Sequence, residues 1–263
     1  MGVLPGLRGR PIRRLLGLGN LHFGLIICIL GRHGGSMTDN SYSKLVVSGA
    51  DALEFLQGQL TIDLQKLSAG ESRRAGWCNP KGRIICLFDI SAENEGFDLT
   101  FPTELAGDVV KRLTMFRFLA KVDFDLQSSG EESRLLDKLR DGVAEIWKEQ
   151  SEKFTPHMLN LDLIDAVDFD KGCYTGQEIV ARTHYRGASK RRCMRFESAE
   201  PVLPGDKVSD GNRDVGEVLN AIGNDLLAVV PVDIANNELT VNGIALLHLP
   251  LPYLQQKNKG DIS

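Results

Sequence analysis

The chain has 263 residues, 42% of them apolar and 25% charged, so it can bury a substantial core as one large domain or two small ones. Its 31 basic and 35 acidic side chains give a net charge of −4, which argues against a protein that coats nucleic acid through general positive charge. Its five cysteines are an odd number with no CxxC pair, which argues against a disulfide framework and a self-sufficient metal cluster and favours a reducing compartment.

Residues 1–36 differ in composition from the rest of the chain. They contain five arginines and no acidic residue, and the remainder keeps 26 basic against 35 acidic side chains, a net charge of −9. Such a segment is typical of a mitochondrial transit peptide or a secretory signal, and its apolar run is too short and too glycine-interrupted to span a bilayer comfortably. We favour a mis-assigned start, with the chain beginning at Met37. This predicts a bacterial cytoplasmic protein without a membrane partner, or a mitochondrial one if residues 1–36 are a transit peptide.

The first elements after this segment are a strand, a helix and a hairpin. KLVVSG predicts a short strand, and ADALEFLQGQL then places Leu53, Leu56 and Leu60 at helical spacing. ESRRAGWCNPKGRIICLFDISAE predicts two strands joined by the turn Asn79–Gly82, because proline at the second turn position and glycine at the fourth favour a type I turn.

A further strand, a helix and another strand follow. GFDLTFP continues the sheet, and Thr103 is positioned to cap a helix whose apolar stripe is Leu105, Val109, Leu113 and Phe116. KVDFDLQ alternates as a strand, which favours an α+β arrangement over βαβ repeats. Residues 128–152 are polar with a helical tendency, and SSGEES at their front is typical of a surface connection.

Beyond Ser189 the chain consists of short strands punctuated by turn residues such as Asp210-Gly211 and Asn242-Gly243. A small closed or nearly closed β-barrel hides the edges of such strands. The sequence therefore predicts an α+β domain over residues 37–188, a β-barrel over residues 189–255 and a tail over residues 256–263.

The segment KGCYTGQE places Cys173 between Gly172 and Gly176, just before the helical stretch GQEIVARTHYRG. A helix N-terminus and the nearby Lys171 both favour a thiolate over a thiol. Arg182 and Arg186 lie one turn apart and could reinforce this field. The alternative is a small buried hydrophobic residue in a structural turn, which is the commoner fate of a lone cysteine.

The stretch KGCYTGQEIVARTHYRG resembles the signature of the YgfZ family, whose members are related to the glycine cleavage T protein and to a mitochondrial iron–sulfur assembly factor. VSGADALEFLQGQLTIDL, NPKGRIICLFDI and LPLPY resemble other parts of that family in the same order, and FTPHMLNLDLIDAVDFD matches its approach to the signature. The matches cover most of Lys44 to Tyr253 and do not include residues 1–36. The resemblance implies an α+β fold of the glycine cleavage T protein type, with ferredoxin-like subdomains around a central opening and a C-terminal β-barrel.

The resemblance also implies a function and a set of site residues. It implies tetrahydrofolate or a derivative as ligand, no stably bound metal, and support of iron–sulfur enzymes, including one that methylthiolates tRNA. Expected partners are folate and iron–sulfur enzymes or assembly factors, with direct tRNA contact as a further hypothesis. An accessory factor is favoured over a folate-dependent aminomethyl or one-carbon transferase, and a non-catalytic adaptor is the third alternative. The matching residues are Cys173 and Lys171, expected to be catalytic, and the motif residues Gly172, Tyr174, Gly176, Gln177, Glu178 and Arg182.

The chain departs from the family pattern near the expected ligand. Family members often carry a tryptophan lining the folate site where this chain has Tyr42, and a tyrosine can still stack on a pterin ring. A second such tryptophan would fall near Arg134, where there is none. The stretch between KVDFDLQ and GVAEIWKE is also short, so part of one subdomain is expected to be missing.

Several other residues have both a functional and a structural interpretation. A basic run without acids could contact RNA phosphates, the glutamate tail of a folate or an acidic partner, or it could simply be solvated. Its members are Arg182, Arg186, Lys190, Arg191, Arg192 and Arg195. His157, His248 and Trp77 are expected to be structural, and His184 is expected to be a surface or capping residue. Asp63 is a turn or a ligand-side residue, and Cys78 and Cys86 flank the hairpin turn, where they could approach each other.

Overall fold

We describe the protein from a computed structural model that covers residues 41–93, 96–129, 134–187, 189–234 and 238–255. These residues belong to one compact unit spanning Asp39–Ser263. The interpretations of residues 1–36 and of the tail 256–263 concern parts of the chain outside the described residues.

The described residues form a five-stranded antiparallel sheet with helices and, after it in the chain, a closed β-barrel. The sheet order is β2-β3-β4-β1-β5 and the barrel order is β10-β11-β6-β9-β8-β7. The sheet strands are β1 (Tyr42–Ser48), β2 (Ser72–Cys78), β3 (Ile84–Glu93), β4 (Gly96–Pro102) and β5 (Asp123–Ser128). The helices are α1 (Ala52–Gln57), α2 (Ala106–Arg117), α3 (Leu135–Asp141) and α4 (Gln177–Arg186). The barrel strands are β6 (Arg191–Ser198), β7 (Lys207–Ser209), β8 (Asp214–Ile222), β9 (Asp225–Pro231), β10 (Leu239–Val241) and β11 (Ile244–Leu249).

The predicted hairpin joins β2 to β3. The Gly82 amide donates to the Asn79 carbonyl at 2.9 Å, and the Asn79 side chain accepts from the Lys81 and Arg83 amides. Gly82 has a φ of +66°, a backbone conformation that glycine adopts at little steric cost. The turn predicted from the sequence is confirmed.

One face of the sheet packs against α1 and α2. Phe88 and Phe101 meet edge to face at a centroid distance of 5.2 Å, and Leu56 of α1 and Val109 of α2 are buried in the same cluster. Burial of aliphatic and aromatic side chains of this size contributes about 1.5–3 kcal/mol each, so this first core holds the two helices on the sheet.

The opposite face of the sheet packs against α3, the segment of residues 144–169 and the outside of the barrel. Leu87 from the sheet, Leu139 from α3 and Leu219 from β8 share this second core. A β-bulge between Val218 and Asn220 interrupts the ladder between β8 and β9. Bulges re-aim side chains, and here Leu219 and Asn220 both contact the part of the chain before the barrel.

The barrel has a third core of its own. Leu226, Ala228 and Val230 of β9 are buried inside it, and their alternation along the strand is the pattern expected for a small filled barrel. Each described barrel strand pairs with a neighbour on both sides, so closure hides the strand edges. Asn160, in the segment before the barrel, donates a hydrogen bond to the hydroxyl of Tyr253, which follows the last barrel strand.

Three details differ from the sequence predictions. Thr103 does not cap α2, since its hydroxyl accepts from the Ser43 hydroxyl at 3.0 Å and α2 has no side-chain cap at its first residue. Phe116 is 42% exposed because the buried stripe of α2 ends at Leu113. Leu53 is exposed as well, and Phe55 takes the buried position on α1.

Candidate functional site around the cysteine motif

The loop before α4 is fastened to the end of α1. The Lys171 amine donates to the Gln57 and Leu60 carbonyls at 2.8 and 2.6 Å, and the Thr175 amide donates to the Gly58 carbonyl. The Tyr174 ring is buried beneath the Lys171 amine, which lies 5.0 Å from its centroid. Residues on both sides of Cys173 therefore contact the protein interior, and these contacts fix the loop that presents Cys173 at the surface.

The two glycines of the motif have different roles. Gly176 has a φ of +85°, and a Cβ there would lie 2.5 Å from the Asn79 carbonyl oxygen, so the loop depends on glycine to approach the hairpin turn. A Cβ on Gly82 would in turn lie 2.9 Å from Cβ of Ile179. A Cβ on Gly172 would meet nothing within 4 Å. Of the two glycines, only Gly176 therefore has to be a glycine for the loop to approach the hairpin turn.

Lys171 is turned toward the protein interior. Burial lowers the pKa of its amine to about 8, although the carboxylates of Asp63 and Asp168 act to raise it. The amine is committed to the end of α1, so its first role is to position the loop. The sequence prediction of Lys171 as a group that acts on the thiol stays a prediction.

Cys173 is the exposed cysteine among the described residues. Cys78, Cys86 and Cys193 are buried, and burial raises the pKa of each of these three thiols. Cys173 therefore does not have the alternative role of a buried hydrophobic residue, and a partner molecule can reach its thiol.

Cys78 and Cys86 do not approach each other as a ligand pair. Cys86 lies in the first core and Cys78 in the second, on opposite faces of the sheet. Within the described residues no group of three or more histidine, cysteine or acidic side chains is arranged to hold a metal ion.

Asp63 is a turn residue. Its carboxylate accepts from the Gln57 side chain at 2.8 Å and from the Gln65 amide, and it begins the short 3-10 helix Leu64–Lys66. The hydrogen bond from Gln57 is the main cause that lowers the pKa of Asp63. The Asp63 amide also donates to the Asp168 carboxylate at 2.6 Å. This bond connects the turn after α1 to the segment that leads into the cysteine motif.

Tyr42 lies in the second core beside a buried group of charges. Its hydroxyl donates to Glu145 at 3.1 Å, the Trp147 ring meets it edge to face at 6.1 Å, and the Lys138 amine lies 4.9 Å from its centroid. Its ring is 5% exposed. A pterin does not fit against Tyr42 in this arrangement, since stacking on the ring would require Lys138 or Trp147 to move.

The charges next to Tyr42 form a closed network, which we call the buried charge cluster: Arg74, Asp89, Lys138 and Glu145. Arg74 bridges Asp89 and Glu145 at 2.7 and 2.8 Å, and Lys138 bridges the same two carboxylates at 2.8 and 2.7 Å. Burial alone would raise the pKa of Asp89, but Arg74 and Lys138 outweigh it and lower the pKa to about 2. Glu145 is fully buried and joins the barrel through its backbone, which exchanges two hydrogen bonds with Asn220.

The basic run divides into structural and surface members. Arg192 pairs with Asp162 at 2.7 Å, Arg195 pairs with Asp225 at 3.1 Å, and Arg191 donates to the Val215 carbonyl. Arg182 and Arg186 are exposed on α4, where they line two adjoining shallow depressions.

The histidines have different environments. His157 is buried as expected, and its pKa is lowered chiefly by burial. His184 is exposed and stacks on Phe169 at a centroid distance of 3.7 Å. His248 lies 5.3 Å from Phe196, and burial lowers its pKa as well. Trp77 is fully buried in the first core, as predicted.

Sequence reasoning missed the buried charge cluster. A signal was present, because Asp89 interrupts the apolar stretch IICLFDI and Glu145 interrupts GVAEIW. Charged residues within apolar runs are buried only when they are paired, so each indicated a partner elsewhere in the chain.

Three comparisons with known proteins bear on this arrangement. The fold resembles aminomethyltransferase T of the glycine cleavage system from Bartonella henselae, with a TM-score of 0.65 and 17% identity over 82% of this chain and 84% of that one. An uncharacterized protein of Haemophilus influenzae is 32% identical over 59% of this chain and 71% of its own length. Proteins named tRNA-modifying protein YgfZ are each 26% identical in Aliivibrio fischeri and in Shigella sonnei, over 68% and 82% of this chain and 75% and 92% of theirs. No protein-family model matches the chain.

The sheet, the barrel and the loop between them therefore define an α+β protein of the glycine cleavage T protein-like class, and the predicted fold class is confirmed. Within that class the chain belongs to the YgfZ family. Among the described residues, no helix has the length and apolar character needed to cross a bilayer.

Proposed function

We propose that this protein supports the assembly or repair of iron–sulfur clusters and, through an iron–sulfur enzyme, the methylthiolation of tRNA. Membership of the YgfZ family supports the link to tRNA modification, since its curated relatives are named as tRNA-modifying proteins. In this proposal the protein is an accessory factor of the bacterial cytoplasm, its partners are iron–sulfur enzymes or assembly factors, and tetrahydrofolate or a derivative is its ligand.

The presentation of Cys173 is the observation that carries the proposal. Its thiol is exposed on a loop held by Lys171 and Tyr174, while the other described cysteines are buried. A thiol reacts or ligates as its thiolate and must be accessible to do so. Cys173 therefore offers sulfur chemistry to a partner, and Lys171, Tyr174 and Gly176 maintain the conformation that presents it.

Cys173→Ala should abolish the proposed role. In a bacterial strain lacking its own gene, the variant is expected to restore neither methylthiolated nucleosides in tRNA, measured by mass spectrometry, nor the activity of an iron–sulfur enzyme. Gly172→Ala is the matched control, since the added Cβ lies in open space and the thiol remains, and it should restore both. Equal protein levels are checked by immunoblot. Full restoration by Cys173→Ala would remove the thiol from the mechanism.

The folate part of the proposal has a separate measurement. Isothermal titration of the full chain with tetrahydrofolate is expected to show binding, and Tyr42→Ala is compared with the wild type. Because Tyr42 is covered by Lys138 and Trp147, binding also requires that the second core open near this ring. Absence of binding by the wild type would remove folate from the proposal and leave the role of Cys173 to be judged by complementation.

A further inference from the structure

One side of α4 forms a surface that the rest of the described chain does not cover. Within the helix only Val180 is buried. Ile179, Arg182, Tyr185 and Arg186 face outward and line the two adjoining depressions, and we call these four residues the α4 outer surface. It begins at Ile179, a few residues after Cys173 in the sequence.

The α4 outer surface carries positive charge that the described residues offset only in part, since Glu178 lines the same depression without forming an ion pair with Arg182. Arg182 and Arg186 have no ion pair among them, unlike Arg192 and Arg195, which are paired with aspartates. The two arginines lie four residues apart, about 6 Å along the helix axis, on one face. Since the protein as a whole has a net charge of −4, this surface is a local attractor for an anionic chain.

One acidic residue limits the direction of this attraction. Glu178 lines the second depression at the beginning of α4, and its carboxylate would repel a phosphate placed there. An anionic chain is therefore best accommodated from Arg182 toward Arg186, away from Glu178.

The surface also contains an aromatic ring with a fixed orientation. Tyr185 is 67% exposed, yet it meets the ring of His184 edge to face at 4.9 Å and that of Phe169 at 6.2 Å. His184 is itself stacked on Phe169 at 3.7 Å. These edge contacts support one side of the Tyr185 ring and leave most of it open, and an exposed ring of this kind is a platform on which a nucleic-acid base can stack.

We infer that the α4 outer surface binds a single-stranded segment of RNA, with a base stacked on Tyr185 and phosphates on Arg182 and Arg186. Alternating cations and an exposed aromatic ring suit single-stranded nucleic acid, because phosphates need the charge and unstacked bases need the ring. An acidic polypeptide would use the arginines but would not need Tyr185. The inference rests on the proposed function, which already connects the protein to tRNA.

Fluorescence anisotropy of a labelled, unstructured 12-nucleotide RNA with the full chain tests the inference. Tyr185→Ala is expected to weaken binding about fivefold or more through loss of one stacked base. Arg186→Gln should reduce the slope of log affinity against log salt by about 0.7, the value for one phosphate contact on a single strand. A double variant, Lys111→Gln with Lys121→Gln, removes two exposed charges elsewhere and should change neither quantity.

Two outcomes would overturn the inference. One is absence of RNA binding at low salt. The other is binding in which a hexaglutamate peptide competes as well as RNA and Tyr185→Ala has no effect, which would identify a general acidic partner. The proposed function is judged independently, because complementation by Cys173 variants and tetrahydrofolate titration do not use Tyr185. Loss of RNA binding with intact complementation would therefore reject only this surface.

Discussion

His157 is a buried imidazole that no described residue hydrogen-bonds at either ring nitrogen. The residue is 2% exposed and lies 6.2 Å from both the Phe169 and the His184 ring. Burial lowers its pKa; Asp162 acts to raise it, and Arg192 and His184 act to lower it further. The folded protein therefore holds this ring neutral, packed behind the aromatic group that orients Tyr185.

This predicts a dependence of stability on pH. Because the folded pKa lies below the ordinary value of 6.5, the unfolded chain binds more protons in this range, and stability is lost as pH falls below 6.5 toward the folded pKa. His157→Leu should reduce the slope of the unfolding free energy against pH below pH 6.5, by up to about 1.4 kcal/mol per pH unit. Urea unfolding across this range measures the slope.

The same variant should be tolerated at pH 7.5, because no hydrogen bond of the ring is lost and the leucine side chain is apolar. His248 also has a lowered pKa, so a residual slope is expected to remain in the variant. A slope equal to that of the wild type would show that His157 does not titrate in this way.

At the level of elements, the turn after α2 holds an unusual residue. Phe118 has a φ of +45° and a ψ of −113°, and the Ala120 amide donates to the Arg117 carbonyl at 2.8 Å, which makes it the first central residue of a type II′ turn. Glycine is preferred at this position, and a residue with a side chain there costs of order 1–3 kcal/mol. The Phe118 side chain gains little in return, because it is 85% exposed.

Phe118→Gly should therefore stabilise the protein. The gain is expected to be about 1 kcal/mol, since relief of the strained backbone exceeds the added entropy of the unfolded glycine. Leu119→Gly is the control, because Leu119 is 97% exposed and is not among the residues with positive φ. It should leave stability unchanged or lower it. Denaturant unfolding measures the unfolding free energy of both variants. Destabilisation by Phe118→Gly would show that the phenylalanine ring stabilises the fold although it is largely exposed.

The elements themselves could be predicted from local patterns. A short apolar stretch indicated β1, period-two alternation indicated β5, turn chemistry indicated the hairpin, and Gly176 indicated the start of α4. The point at which the buried stripe of α2 ends could not be predicted. Leu113 and Phe116 both fit the helical spacing of the stripe, and only the surrounding structure decides which of them is covered. The predicted cap at Thr103 does not form for a similar reason, because the threonine oxygen accepts a hydrogen bond from the Ser43 hydroxyl on a neighbouring strand.

At the level of the whole molecule, contacts between distant parts of the sequence hold the sheet to the barrel. Asn160 donates to the Cys193 carbonyl at 2.7 Å and to the Tyr253 hydroxyl at 2.8 Å. Tyr253 belongs to the C-terminal LPLPY stretch, and a Cβ on Gly142 would lie 3.1 Å from its ring. Local patterns do not predict such contacts, and neither did they predict that Lys171 would bind the end of α1 or that Tyr42 would be covered.

The buried charge cluster is a second connection between distant parts of the sequence. It predicts that one substitution, Glu145→Gln, strongly lowers stability. Glu145 accepts from Arg74 and Lys138, so Glu145→Gln leaves two buried cations with one carboxylate between them. Breaking a buried ion pair on one side costs about 3–5 kcal/mol, because the remaining charge is not compensated. Arg140→Gln is the control: Arg140 makes an exposed ion pair with Asp225 at 3.7 Å, and its loss should change stability by about 0.5 kcal/mol or less.

Urea unfolding followed by tryptophan fluorescence distinguishes these outcomes, since Trp147 lies in the second core beside the cluster. We expect Glu145→Gln to lower the midpoint strongly. If the sheet and the barrel then unfold separately, the slope of free energy against urea should also fall, because each step exposes less surface than unfolding of the whole molecule. A cost similar to that of Arg140→Gln would mean that the Glu145 backbone bonds to Asn220, which the substitution leaves in place, hold the two parts together without the charges.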